Sequence, residues 1–140
     1  MNQELRRVQV GVGSLIEYKG KYFLILRKRK HGRLTWSPPG GHINFGESPA
    51  KTAIRETKEE VGITASNPKF IGMTNDFFKS TKKHYITLWF KLKVKRPGKI
   101  KVQSKEVVSA DWFFVNKLPK PLFLPFKNFI QRNGWLIYGR

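Results

Sequence analysis

The chain has 140 residues and a formal net charge of +19, with 28 Lys and Arg against nine Asp and Glu. That length holds one domain with one ordinary core, and 39 % hydrophobic residues, 14 % of the chain being aromatic, supply the material for it, which excludes wholesale disorder. The absence of cysteine removes disulfide frameworks, thiolate metal sites and cysteine nucleophiles. No apolar run approaches the ~20 residues needed to cross a bilayer, and residues 1–10 carry Glu4, Arg6 and Arg7 instead of an apolar leader. The expectation is a single cytoplasmic domain spanning 1–140, without a membrane partner. A surface this basic attracts polyanions, namely nucleotides or nucleic acid.

In chain order, 8–18 (VQVGVGSLIEY) and 21–27 (KYFLILR) read as two strands of a hairpin, joined at Lys19-Gly20. A basic loop follows over 28–35, and the breaker-rich 36–41 (WSPPGG) is expected to form no regular structure. Ser48 reads as an N-cap, Pro49 as the first helical residue and Gly62 as the residue that ends the helix, so 49–61 is predicted helical. Strands are predicted over 69–76, 84–94 and 110–115. A second helix is predicted within 121–133, with its start near Pro125. One helix after the first strands and one at the end indicate an α+β sandwich.

The acids are concentrated. Glu47, Glu56, Glu59 and Glu60 fall within 41–63, alongside only Lys51, Arg55 and Lys58. On a helix Glu56, Glu59 and Glu60, spaced by three and four, project from one side. Like charges so placed repel, and a hard divalent cation with oxygen preference reverses the sign of that interaction. Gly40-Gly41 lets backbone come close enough to offer a carbonyl to the same ion. Arg55 reaches back to Glu47 or forward to Glu59. A solvated helix face with ordinary Glu/Arg pairs is the plainer account of the spacing alone.

The full string is more specific. Gly41, five residues, Glu47, seven residues, then Arg55-Glu56-Thr57-Lys58-Glu59-Glu60-Val61-Gly62-Ile63 resembles the Nudix box at every fixed position. Thr57 departs from it, since the family carries a bulky aliphatic residue there, and looser packing under the helix is expected. The upstream hairpin, downstream strands and closing helix extend the resemblance over nearly the whole chain. Segments 40–48, 74–88 and 122–134 look similar to the MutT-like nucleoside triphosphate pyrophosphohydrolases. The resemblance implies the Nudix fold, an α/β/α sandwich around a mixed β-sheet. It implies Mg²⁺, or Mn²⁺ in its place, held by Gly41, Glu56, Glu59, Glu60 and Glu106. Glu56 or Glu59 would act as base, while Arg55, Glu47 and Gly62 would shape the motif. The implied reaction releases a monophosphate and pyrophosphate from canonical or damaged nucleoside triphosphates. Nucleotide sugars, dinucleoside polyphosphates and capped RNA are the alternative substrates. A homodimer is a further implication.

For substrate binding, Arg27, Lys28, Arg29 and Arg33 follow the second strand and suit phosphate oxygens. His42 beside Gly41 is a phosphate donor or a satisfied loop histidine. Phe45, Phe77, Phe78 and Phe123 are candidates for stacking on a base. Trp36, Trp89 and Trp112 are expected to pack rather than bind.

Overall fold

The computed structural model describes residues 6–102 and 105–138, with 133–138 described by backbone alone. Glu4 and residue 134, used in the sequence reading, lie outside the described residues or their side chains. Seven strands and two helices follow one another as β1 (Gln9–Tyr18), β2 (Lys21–Arg27), β3 (Trp36–Ser37), β4 (Gly40–His42), α1 (Pro49–Val61), β5 (Ser66–Phe78), β6 (Lys83–Lys93), β7 (Val107–Phe114) and α2 (Leu124–Tyr138).

The hairpin between β1 and β2 is brief. Only Glu17–Tyr22 and Tyr18–Lys21 are paired before the strands part. β1 then runs parallel to β6 from Gln9–Tyr85 to Ile16–Leu92, while β2 pairs antiparallel with β7. The path through the mixed sheet is β3-β2-β1-β6-β5, with β4 added to β1 and β7 to β2. β1 and β2 are covered on both faces, which explains their nearly continuous apolar runs. Val12, Ile16, Phe23 and Ile25 join Ala53 and Val61 of α1 in one core. Leu15, Tyr22 and Leu24 join Trp89 and the α2 residues Phe126 and Phe129 in the other. This is the expected α/β/α sandwich.

One expectation is corrected. Residues 36–41 are not wholly irregular, because Pro38-Pro39 separates two short strands instead of abolishing both. Trp36 and Ser37 pair with Leu26 and Ile25. Gly40 and Gly41 pair with Gly13 and Val12. A side chain at Gly40 would overlap the Val12 carbonyl, so the close approach requires glycine. The remaining differences are at element ends. β5 gains residues on both sides and absorbs two register shifts. α2 begins at Leu124, which puts Pro125 in the first turn, where its missing N–H costs nothing.

Trp36 packs edge-on against Phe113, Trp112 packs against Phe23, and Trp89 is 2 % exposed. Thr57 is fully buried, and its hydroxyl donates to the Ala53 carbonyl at 2.8 Å, so the polar atom standing in the aliphatic position is satisfied.

Candidate active site

The helix α1 carries the carboxylates, and local chemistry fixes where it starts and stops. The Ser48 hydroxyl accepts from the Lys51 N–H at 3.2 Å, and Pro49 occupies the first helical position. Gly62 takes φ +73° and its N–H donates to the Lys58 carbonyl. Arg55 does both things its position allows. Its Nε donates to Glu47 Oε2 at 2.8 Å, Nη1 to Glu59 Oε1 at 2.9 Å, and Nη2 to Glu47 Oε1 and the His42 carbonyl, both at 3.0 Å. Thr52 adds a 2.7 Å bond to Glu47. These bonds hold the Glu47 carboxyl at about 2, well below its usual range, and raise the Arg55 guanidinium. Arg55 thus fastens the 42–47 loop to the middle of the helix.

Glu56 and Glu60 behave in the opposite way. Burial pushes both carboxyls up to about 7. Glu59 nearby raises Glu56 further, against the opposing pull of Arg55. For Glu60 the Gly40 N–H, donating at 3.0 Å, opposes the effect of burial. Gly41 makes room for the first of these groups, since a methyl there would overlap the Glu56 carboxylate. Glu106 forms an ion pair with Arg29.

Two cavities meet at Arg29. A polar cleft is lined by Glu56, Glu59, Glu60, Glu106, Arg29, Arg55 and Lys105. An aromatic pocket beside it is lined by Arg27, Arg29, His31, His42, Tyr85, Trp89 and Phe123, with the Gly11–Gly13 and Gly40–Gly41 backbones. In that pocket the His31 ring lies nearly parallel to Tyr85 at 5.2 Å and meets the edges of Phe78 and Phe123. The Arg27 guanidinium sits 3.8 Å from the Phe123 ring centre. Burial, reinforced by Arg27, lowers His31 to about 4, so it is neutral at pH 7. Burial also lowers Arg27 to about 10. His42 Nε2 contacts Gln9 Oε1 at 3.2 Å and the Tyr85 hydroxyl at 3.4 Å. Beneath the pocket a fully buried Asp76 accepts from Thr87 at 2.6 Å, Thr74 at 3.1 Å and Asn128 of α2 at 2.9 Å. Trp89 Nε1 completes the network by donating to Thr74.

The expected residues therefore divide. Glu56, Glu59, Glu60, Glu106 and Arg55 gather around the cleft, and Gly41 lines the pocket with its backbone against Glu56. Arg27, Arg29, His42 and Phe123 line the pocket, and Phe78 backs it. Lys28 and Arg33 are exposed and line neither cavity, and Phe45 and Phe77 stand in solvent. Sequence reasoning passed over His31, Tyr85 and Asp76. Tyr85, Thr87 and Trp89 alternate along β6, so strand periodicity puts Tyr85 on the face of Trp89, a signal the sequence reading did not use. Nothing in the loop sequence singled out His31.

The donor set in the cleft suits a hard divalent cation. It consists of carboxylate oxygens, and two of the carboxylates are desolvated at a cost that such an ion offsets. Among the described residues no three His, Asp or Glu side chains already form a coordination sphere. Arg55 draws Glu59 aside, Arg29 draws Glu106, and the Gly40 N–H occupies one Glu60 oxygen.

A model of the NUDIX domain matches residues 5–132. The chain belongs to the NUDIX family. It is 35 % identical over 106 residues to a MutT4 protein of Mycobacterium tuberculosis, covering 71 % of this chain and 40 % of that protein. It is 31 % identical to the ADP-ribose pyrophosphatase of Methanocaldococcus jannaschii, covering 81 % of this chain and 66 % of that protein. It is 30 % identical to the 8-oxo-dGTP diphosphatase of Escherichia coli, covering 77 % and 81 %. The NUDIX chain thus spans less than two thirds of the first two of these relatives. The solved MutT NUDIX hydrolase of Burkholderia pseudomallei shares the fold at a TM-score of 0.83 and 23 % identity, covering 91 % of this chain and 99 % of that one.

Proposed function

We propose that this NUDIX protein is a Mg²⁺-dependent pyrophosphohydrolase that cleaves nucleoside triphosphates to a monophosphate and pyrophosphate. The observation that carries the reading is Arg29, which lines both a carboxylate cleft and an aromatic pocket. A nucleotide has the same two halves, a charged phosphate chain and a flat apolar base. The similarity to the E. coli 8-oxo-dGTP diphosphatase over most of both chains supports this substrate class.

In this reading Glu59, Glu60, the Gly41 carbonyl and Glu106 would hold Mg²⁺, with Mn²⁺ as a substitute. A bound divalent cation there supplies neutralisation of phosphate charge and a more acidic water. Glu56 is the proton acceptor we assign. Its carboxyl, raised to about 7 by burial, sits between the Gly41 backbone and the cleft, in the range where a general base works at neutral pH. Arg29 lies where it can leave Glu106 for a phosphate oxygen, and Arg27 lies deeper, over Phe123. Arg55 positions Glu47 and Glu59 and touches no reacting atom. His31, Tyr85 and Phe123 form the walls against which the base stacks.

The similarity to the M. jannaschii ADP-ribose pyrophosphatase favours a second reading, in which the leaving group is a sugar phosphate. The test is hydrolysis of a panel with Mg²⁺: plain and oxidised triphosphates, ADP-ribose, other nucleotide sugars, dinucleoside polyphosphates and capped RNA. Monophosphate plus pyrophosphate from triphosphates, lost in Glu60→Gln, is expected. Turnover confined to ADP-ribose or another linked diphosphate would replace the first reading by the second.

A further inference from the structure

The β5–β6 hairpin has a second face, turned away from the pocket. Register puts Phe70 opposite Phe90, Met73 opposite Leu88 and Phe77 opposite His84 on it. Phe90 and Leu88 pack into the α1 core. Phe70, Met73 and Phe77 do not, and remain 54 %, 49 % and 51 % exposed. From Phe90 to His84 the strand advances about 20 Å, at roughly 3.3 Å per residue.

The charge on this hairpin is one-sided. Residues 66–96 hold seven Lys and one Arg against a single acid, Asp76. Asp76 is fully buried and bonded by Thr74, Thr87 and Asn128, so the hairpin shows solvent no carboxylate. Lys91 is engaged by Glu17 of β1 at 3.1 Å. Lys79 and Lys82 are exposed at the tip, immediately beyond Phe77-Phe78, while Lys83 shares the pocket side with Tyr85, near His31 and His42.

We propose that this face binds single-stranded nucleic acid, with phosphates on Lys79 and Lys82 and bases stacked on Phe77 and Phe70. Spaced aromatic rings bordered by lysines match a ligand that alternates flat apolar rings with negative charge. A duplex hides its rings, and a second copy of a +19 chain brings like charge to the patch. The proposal does not depend on the hydrolytic reading, because the face shares no residue with the cleft or the aromatic pocket.

The experiment is fluorescence anisotropy of a labelled 12-mer of oligo(U) with the whole chain in EDTA. Binding is expected, with a log–log salt slope of about −1.4 if the two tip lysines each meet one phosphate, at roughly −0.7 per contact. Lys79→Gln/Lys82→Gln should remove most of that slope. Phe77→Ala should weaken binding by about 5- to 100-fold with the slope unchanged, as loss of one stacked base predicts. Both sets of positions are exposed, and circular dichroism checks that the variants stay folded. Equal affinity for a duplex of the same length, or no effect of Phe77→Ala, would reduce the interaction to diffuse charge and overturn the proposal. Displacement of the oligonucleotide by a nucleoside triphosphate would place it in the pocket instead, and also overturn it. So would a dimer in light scattering that Phe77→Ala dissociates while oligonucleotide binding persists.

Discussion

Substitution of Gly41 by Ala isolates the position of one carboxylate. The new methyl would overlap the Glu56 carboxylate and stand 2.9 Å from its Cγ. Gly41 is not among the glycines with positive φ, so alanine accepts the backbone and the whole effect falls on Glu56. Overfilling a packed site costs roughly 1–3 kcal/mol. Replacing glycine by alanine returns about 0.4–1 kcal/mol by restricting the unfolded chain. The net loss is therefore about 0–2.5 kcal/mol, and at roughly 3 °C per kcal/mol for a chain of this size the melting temperature falls by no more than about 8 °C. Activity should suffer far more, because a displacement near 1 Å at a reacting group costs on the order of 100-fold. The assays are a thermal melt by circular dichroism and steady-state pyrophosphate release with Mg²⁺. A folded Gly41→Ala protein within threefold of the parent kcat would refute the assignment of Glu56 to this place. Gly41→Ala/Glu56→Gln should be no slower than the worse single variant, since both remove the same function.

Four other outcomes follow from the same geometry. His31 has a folded pKa of about 4, against 6.5 for an ordinary histidine, in surroundings that include Arg27, Arg29, Lys83 and His42. The folded state then binds fewer protons than the unfolded one, so stability should be lost as pH falls from about 6.5 towards 4. Partial exposure limits the loss to about 1 kcal/mol, and His31→Phe should shift the difference between the urea-unfolding free energies at pH 7 and 5 by that amount, against the opposite contribution of Glu56 and Glu60. Arg55→Lys keeps the charge but cannot hold Glu47, Glu59 and the His42 carbonyl together, and should lower kcat about 10- to 100-fold with unchanged helix content. Mg²⁺ at 100 times its dissociation constant should stabilise the protein by about 2.7 kcal/mol in calorimetry, and Glu60→Gln should abolish that gain. Asp76→Ala leaves the hydroxyls of Thr74 and Thr87 and the Asn128 amide without their acceptor, and should cost about 3 kcal/mol or more in a denaturant melt.

How much of this was legible depended on how local each signal is. Ser48, Pro49 and Gly62 act on their own neighbours, and α1 has the bounds they imply. The motif from Gly41 to Ile63 was readable because its spacing is rigid once a helix is granted. The parting of β1 from β2 was not readable. The turn at Lys19-Gly20 signals a hairpin, whereas the parallel partner of β1 lies some seventy residues along the chain. Two-sided burial also erased the alternation that would have told the faces of β1 and β2 apart. The cleft was foreseen through its carboxylates. The pocket was foreseen only in part, because aromatic residues carry no mark that separates a binding ring from a packing ring. Phe123 and Phe45 looked alike in the sequence, and one lines the pocket while the other stands wholly in solvent.

The pocket has walls of two kinds. Its floor is tied into both cores, with Asp76 linking β5, β6 and α2 through hydrogen bonds that leave Thr87 and Trp89 no latitude. Its outer wall is the 28–35 loop, which closes on itself through Leu34 N–H to Arg27, Thr35 N–H to Gly32 and Arg27 N–H to Thr35, and is tied outward by Lys28 N–H to the Glu106 carbonyl, the Arg29–Glu106 ion pair and the packing of His31 on Phe78, Tyr85 and Phe123. The strand ladders do not run through this loop, so its sequence can change without rebuilding them. If the pocket takes a nucleotide as proposed, changes confined to these eight residues would alter its outer wall and its selectivity while leaving α1 and the pocket floor as they stand.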